Sequence, residues 1–174
     1  MAKVMKISVI IQARINSTRL PSKIIKKYKN LTLIELLLKR LSYSKQIDEV
    51  ILASGSYQKN SILKKILKNV PIKIFFGPEK NVLKRYYLAA KKYECKHIVR
   101  ITSDCPLLDP LLLDEIILQY KKKNNDYFCN INPPTFPDGM DIEIFPVKTL
   151  NKSFKKATDK YDKEHVTSFM RNNK

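Results

Sequence analysis

Glycine is nearly missing from this chain. Its 174 residues contain three, Gly55, Gly77 and Gly139. That excludes the GxxxxGK[ST] phosphate loop and the GxGxxG dinucleotide fingerprint, which both depend on clustered glycines. Cysteine is also scarce. Cys95, Cys105 and Cys129 are odd in number, far apart and without a CxxC pair. A disulfide framework and a zinc cluster are therefore excluded, and the three read as buried small hydrophobes in a reducing compartment. No apolar run approaches the ~18–20 residues a membrane span needs. The start, Met1-Ala-Lys-Val-Met-Lys, lacks the apolar stretch and cleavage site of a signal peptide, so the expectation is a cytoplasmic protein with no membrane partner. Acid is under-represented too: 16 Asp+Glu face 34 Lys+Arg, for a net charge of +18.

An excess of that size invites a nucleic-acid reading, so its kind matters. Arginine occurs six times and the other 28 basic residues are lysine. Arginine is the residue suited to bidentate phosphate and base recognition, whereas lysine also serves simply to solvate a surface. Lys59, Lys64, Lys65, Lys68, Lys84, Lys91 and Lys92 fall off the apolar stripes of the segments that hold them, and no RNP, KH, zinc-finger or helix-turn-helix signature is present. The charge is read as solvated helix faces, with no nucleic-acid partner expected.

What the chain has is alternation. Lys6–Ala13, Glu49–Ser54, Ile72–Phe76 and His97–Thr102 are short, nearly continuous apolar runs, as in strands buried on both faces. Between them, Leu33, Ile34, Leu37, Leu38 and Leu41 form one helical stripe, and the phase repeats at Ile62–Val70, Val82–Ala90 and Leu112–Tyr120. Thr32 and Glu35 predict a capping box, and Asp109 an N-cap before Pro110. Strands are also predicted over Asp126–Ile131 and Met140–Phe145, then a basic helix over Val147–Ala157. With 44% hydrophobic residues and no linker, the prediction is a single α/β domain with a parallel sheet covered by helices on both faces.

Four places hold candidate chemistry. The loop after the first strand, Gln12 to Lys23, packs three cations (Arg14, Arg19, Lys23) and three hydroxyls (Ser17, Thr18, Ser22) into its last ten residues. Such a loop wraps phosphate, although composition alone leaves an ordinary basic surface loop equally open. Asp104 falls at the carboxyl end of the fourth strand, just before Pro106. If the strand order is 3-2-1-4, it shares the switch-point crevice with the Arg14 loop, where a carboxylate beside polyphosphate is a natural Mg²⁺ ligand; the plain alternative is a turn residue. Asp141 and Glu143 on a strand would point to one face, roughly 7 Å apart, toward a sugar or a metal; a wet edge strand is the alternative. His165 lies in Lys163-Glu164-His165, without the HExxH spacing of a metalloprotease. Tyr86, Tyr87 and Tyr93 read as core.

The segment Ile10-Ile11-Gln12-Ala13-Arg14-x-x-Ser17-Thr18-Arg19-Leu20-Pro21-x-Lys23 resembles the nucleotide-binding signature of sugar cytidylyltransferases, the enzymes that make CMP-activated acidic sugars. Gly77-x-Glu79-x-Asn81-Val82-Leu83-x-Arg85-Tyr86, Arg100-Ile-Thr-Ser-Asp104-Cys-Pro-Leu, Gly139-x-Asp141-x-Glu143 and Glu164-His165-Val166-Thr167 resemble the spore coat polysaccharide branch, in the same order. The resemblance implies a Rossmann-like three-layer nucleotidyltransferase fold of the GT-A type over residues 1–174, short of the family's usual C-terminal strand and helix. It implies that Ala13, Arg14, Ser17, Arg19, Lys23 and Arg85 hold CTP and that Asp104 holds Mg²⁺. Arg14, Lys23 and Asp104 would be the catalytic set. It further implies Ala53, Ser54 and Gly77 near base and ribose, Asp141, Glu143 and His165 near a small sugar, and room for a homodimer. A non-catalytic nucleotide-binding module of the same fold and a basic nucleic-acid-binding protein remain the alternatives at this point.

Overall fold

The computed structural model describes residues 5–15, 20–123 and 125–172. In chain order the elements are β1 (Ile7–Ala13), a 3₁₀ turn (Lys23–Ile25), β2 (Lys27–Tyr28), β3 (Leu31–Thr32), α1 (Leu33–Leu41), β4 (Glu49–Ser54), α2 (Tyr57–Asn60), α3 (Ile62–Ile66) and β5 (Lys73–Phe76). Then come α4 (Val82–Lys92), β6 (His97–Thr102), α5 (Pro110–Lys123), β7 (Phe128–Cys129), β8 (Glu143–Pro146), α6 (Val147–Lys156), α7 (Lys160–His165) and α8 (Ser168–Asn172). Among the described residues, six strands form one sheet in the order β5-β4-β1-β6-β8-β7, and β2 pairs β3 in a small hairpin. The pairs β1–β4, β1–β6 and β4–β5 are parallel, while β8 runs antiparallel to both β6 and β7. The four parallel strands thus take the expected 3-2-1-4 order, and the winding reverses between β1 and β6.

Strand β1 shows why the centre of the sheet has to be apolar. Ile7, Val9, Ile11 and Ala13 join one core with Ile34, Leu37 and Leu41 of α1 and Leu113, Ile117 and Tyr120 of α5. Ile10 points the other way, into a second core with Leu83, Tyr86 and Ala89 of α4 and Leu150 of α6. Successive side chains alternate across a strand, so a strand covered on both faces needs apolar residues at nearly every position. Polar clamps fix the covering helices. Thr32 Oγ1 accepts from Glu35 N at 3.3 Å while Glu35 Oε2 accepts from Thr32 N at 2.8 Å, the predicted capping box. Asp109 Oδ1 accepts from Leu111 N and Leu112 N at the start of α5. Tyr86 donates its hydroxyl to the Ile10 carbonyl at 3.0 Å, fastening α4 to β1. Tyr87 stacks on Phe154 and Tyr93 reaches the Ile74 carbonyl, so both are only partly core.

Three expectations change. The helix foreseen over Ile62–Val70 shortens to α3, which ends at Ile66 and follows the separate turn of α2, and Ile62 is exposed. Asn60, buried to 1% exposure, takes the inward position at that turn and spends it on hydrogen bonds. The strands foreseen over 126–131 and 140–145 shrink to β7 and β8. Here Asn130 N still donates to the Ile142 carbonyl, but the Asn130 side chain accepts the return bond from Ile142 N and donates to the Met140 carbonyl, so the backbone ladder ends there. Asp141 consequently lies ahead of β8, outside any strand and exposed, so it and Glu143 do not present one strand face. Finally, of the cysteines only Cys95 is fully buried; Cys105 and Cys129 are half-buried. The seven lysines set aside as solvating are all exposed, and no helix among the described residues is long and apolar enough to cross a membrane.

Candidate active site

A cleft of about 180 Å³ opens at the carboxyl ends of β1 and β6, where the winding reverses. The end of β1 supplies Gln12, Ala13 and Arg14, and the 3₁₀ turn supplies Lys23 and Ile24. The end of β6 brings Thr102, Ser103 and Asp104; α4 contributes Val82 and Arg85, and α7 contributes Glu164 and His165. Ligands of open α/β sheets bind at such a reversal because the adjacent loops diverge there and leave a crevice.

The loop after β1 is tied at both ends. Ser22, in the left-handed region at φ 58°, donates its N–H to the Ile15 carbonyl at 3.0 Å. Ile15 N in turn donates to Asn60 Oδ1 at 3.0 Å, and the side chains of Ile15 and Ile24 are buried beneath the loop. Arg14 is left exposed, and Lys23 swings toward Asp104, Nζ to Oδ2 3.4 Å. Ser17 and Arg19 lie outside the described residues. Asp104 is drawn two ways: burial opposes its charge, but the Thr102 hydroxyl and the Lys23 ammonium outweigh that, and its pKa falls below the ordinary carboxylate value. It is a carboxylate at neutral pH.

The wall behind the cleft is built around two close approaches. A Cβ on Gly77 would sit 2.7 Å from the Phe75 ring and 3.2 Å from Arg85 Cγ. One on Gly55 would collide with the Glu79 carboxylate at 2.1 Å. Glycine lets Arg85 pack inward, where its Nη1 donates to the carbonyls of Pro78 and Glu79, and lets Glu79 cap the Ser56 N–H at 2.7 Å. Burial lowers the Arg85 pKa. Ala53 and Ser54 are fully buried in this wall at the end of β4 rather than lining the cleft, and Gly77 N donates to the Ser54 carbonyl.

Of the candidates, the cleft therefore gathers Ala13, Arg14, Lys23, Arg85, Asp104 and His165. His165 is exposed and leans on the Tyr161 ring, centroids 4.2 Å apart. Asp141 lies outside the lining and is exposed, yet its pKa is raised, first by the partial loss of water around its carboxyl and then by the charges of Asp138 and Glu143. Glu143 is 1% exposed and ion-paired with Arg100, and it accepts the Tyr127 hydroxyl at 2.5 Å. Thr102 and Asn60 were not singled out from the sequence, and Gln12 and Glu164 stood within its motifs without a role of their own. A clue was available for one of them: Gln12 is a long polar side chain in the otherwise apolar second half of β1.

Residues 8–174 match the family described as cytidylyltransferase. The chain belongs to the cytidylyltransferase family. Within it, the solved cytidylyltransferase from Leptospira borgpetersenii is 34% identical, superposes with a TM-score of 0.91, and is covered over 72% of its length by 97% of this chain. The Bacillus subtilis spore coat polysaccharide biosynthesis protein SpsF is 31% identical, over 94% of this chain and 69% of SpsF. An uncharacterized Methanocaldococcus jannaschii protein is 37% identical, over 97% of this chain and 68% of that protein. The Rossmann-like, mostly parallel nucleotidyltransferase fold is the one expected, and family membership makes the chain a nucleotidyltransferase.

Proposed function

We propose that this chain transfers CMP from CTP to an acidic sugar with release of pyrophosphate, in the biosynthesis of a cell-surface or spore-coat polysaccharide. The observation that carries this reading is the convergence of Arg14, Lys23 and Asp104 at the reversal between β1 and β6, in one cleft with His165. Arg14 and Lys23 neutralise the triphosphate, with Ser17 and Arg19 of the same loop as further phosphate ligands. Ala53, Ser54 and Gly77 form the wall beside base and ribose, while Asp141 and His165 lie toward the sugar, with Glu143 supporting from beneath.

Asp104 fits Mg²⁺ of a particular kind. Among the described residues no group of three or more His, Cys, Asp or Glu side chains is placed to cage an ion. Mg²⁺ is commonly held by one or two carboxylates together with substrate phosphates and water, so a single ionised Asp104 suits an ion that arrives on the nucleotide. When bound, the ion supplies neutralisation of phosphate charge. The residues themselves position and neutralise: a sugar hydroxyl attacks the α-phosphorus in line, the bond to pyrophosphate breaks as the new P–O bond forms, and the hydroxyl proton passes to solvent. Positioning and charge account for most of the rate in such a transfer.

The test is pyrophosphate release from CTP and Mg²⁺ with a panel of acidic sugars, among them N-acetylneuraminate and 3-deoxy-manno-octulosonate. Release with at least one is expected. CTP binding without release in the presence of any sugar would overturn transfer in favour of a binding module.

A further inference from the structure

We infer that Gln12 contacts the substrates directly, its side-chain NH₂ aimed into the cleft as a hydrogen-bond donor to an anionic oxygen. The inference rests on the reading of the cleft as a site for CTP and an acidic sugar. Gln12 is the penultimate residue of β1, with Ala53 and Thr102 as its register partners on either side, so it stands where the winding reverses and lines the cleft.

The orientation of its amide follows from its neighbour. Arg100 Nη2 lies 3.0 Å from Gln12 Oε1. A guanidinium has donors and no acceptor, so the atom facing it must be the amide oxygen, and the usual ambiguity between oxygen and nitrogen does not arise. Arg100 is itself held. Its Nη1 donates to one carboxylate oxygen of Glu143, and the Tyr127 hydroxyl donates to the other. The chain Tyr127–Glu143–Arg100–Gln12 runs across three strands to reach the cleft floor. A buried ion pair is weak evidence for stability in its own right; here it fixes one amide in one orientation.

Among the described residues, Gln12 Nε2 has no acceptor. Its cleft neighbours include the donors Arg14, Lys23 and Arg85, and it makes no hydrogen bond to the two carboxylates of the lining, Asp104 and Glu164. A cationic donor on the amide oxygen polarises the amide and strengthens its N–H bonds, as in other linked hydrogen bonds. The partner that satisfies such a donor in such surroundings is an anionic oxygen of a ligand. Two bound species carry one, the nucleotide phosphates and the sugar carboxylate, and they separate by experiment.

The variant Q12E keeps an oxygen for Arg100 but removes the N–H bonds and places negative charge in the cleft. Q12M removes both functions at similar size. Thermal unfolding should leave Q12E folded. If the nucleotide is the partner, CTP binds Q12E about tenfold or more weakly by calorimetry without sugar, a typical loss for a charged hydrogen bond. If the sugar carboxylate is the partner, CTP affinity holds and the sugar KM rises by a similar factor. In both cases the Gln12 NH₂ resonances of the wild type, assigned by their absence in Q12E, shift when that ligand is added. A folded Q12E with unchanged CTP affinity, KM and kcat overturns the inference, as do Gln12 resonances unmoved by saturating CTP and sugar. A wild type that binds CTP yet releases no pyrophosphate overturns the transfer reaction instead; loss of CTP affinity in Q12E would still support the donor.

Discussion

Asp104 at the end of β6 and Glu143 at the start of β8 are both carboxylates paired with a cation, and the pairs have opposite characters. Asp104 and Lys23 stand 3.4 Å apart with side chains 47% and 36% exposed. Glu143 and Arg100 are in direct contact with side chains 2% and 14% exposed, and a tyrosine occupies the remaining carboxylate oxygen. The exposed pair gains little from its contact, so either member can exchange it for a phosphate or a metal ion. The buried pair has lost its hydration and holds only while both members remain. One carboxylate is therefore free to change partners, and the other holds Arg100, and through it Gln12, in place.

The largest effect that tests this contrast is on stability. Glu143→Ala leaves the Arg100 guanidinium buried without its counter-ion, and a loss of about 3–5 kcal/mol is expected from chemical denaturation. A loss below about 1 kcal/mol would erase the distinction. Asp104→Asn should reverse the pattern. Its unfolding free energy should stay within about 1 kcal/mol of the wild type, while pyrophosphate release falls roughly 100-fold or more, as for other groups that stabilise reacting charge. Tyr127→Phe removes one donor from a buried carboxylate and should cost about 1–3 kcal/mol in the same denaturation experiment.

The smallest effect is on titration. Asp104 has a folded pKa below the ordinary value of about 3.9, because the Thr102 hydroxyl and Lys23 outweigh the cost of burial. Its contribution to stability is thus present above the unfolded value and disappears as pH falls through the folded one. A carboxyl NMR titration should place the Asp104 midpoint below about 3.9 and move it upward in Thr102→Val. A wild-type midpoint above the ordinary value would show that burial dominates and that the site is not poised as an anion.

The two halves of the sheet were not equally legible. The β5-β4-β1-β6 half announced itself through continuous apolar runs, through Thr32 and Glu35, and through Asp109 before Pro110, all signals carried by neighbouring residues. So did the Arg14–Lys23 loop, because its cations are close in sequence. The β8–β7 edge did not, since its strands are cut short by Asn130, whose side chain bonds to residues 10 and 12 positions away. Glu143 looked like a sugar ligand because its partner, Arg100, is 43 residues distant and reaches it only through antiparallel pairing of β6 with β8. Asn60 was hidden for the same reason: its partner Ile15 is 45 residues away. Local signals show in a sequence, whereas a side chain's distant partner emerges only from the topology.

The central place of β1 also affects how the chain is made. Ile7 has its register partner in β6 at His97, some 90 residues later. At ribosomal speeds of about 5–20 residues per second, on the order of 5–20 s separate the two strands. Throughout that time the most apolar strand of the protein is out of the tunnel with one side unpaired. The segment bearing the Arg14–Lys23 loop is thus completed on its β6 side only after β4 has become available on the other.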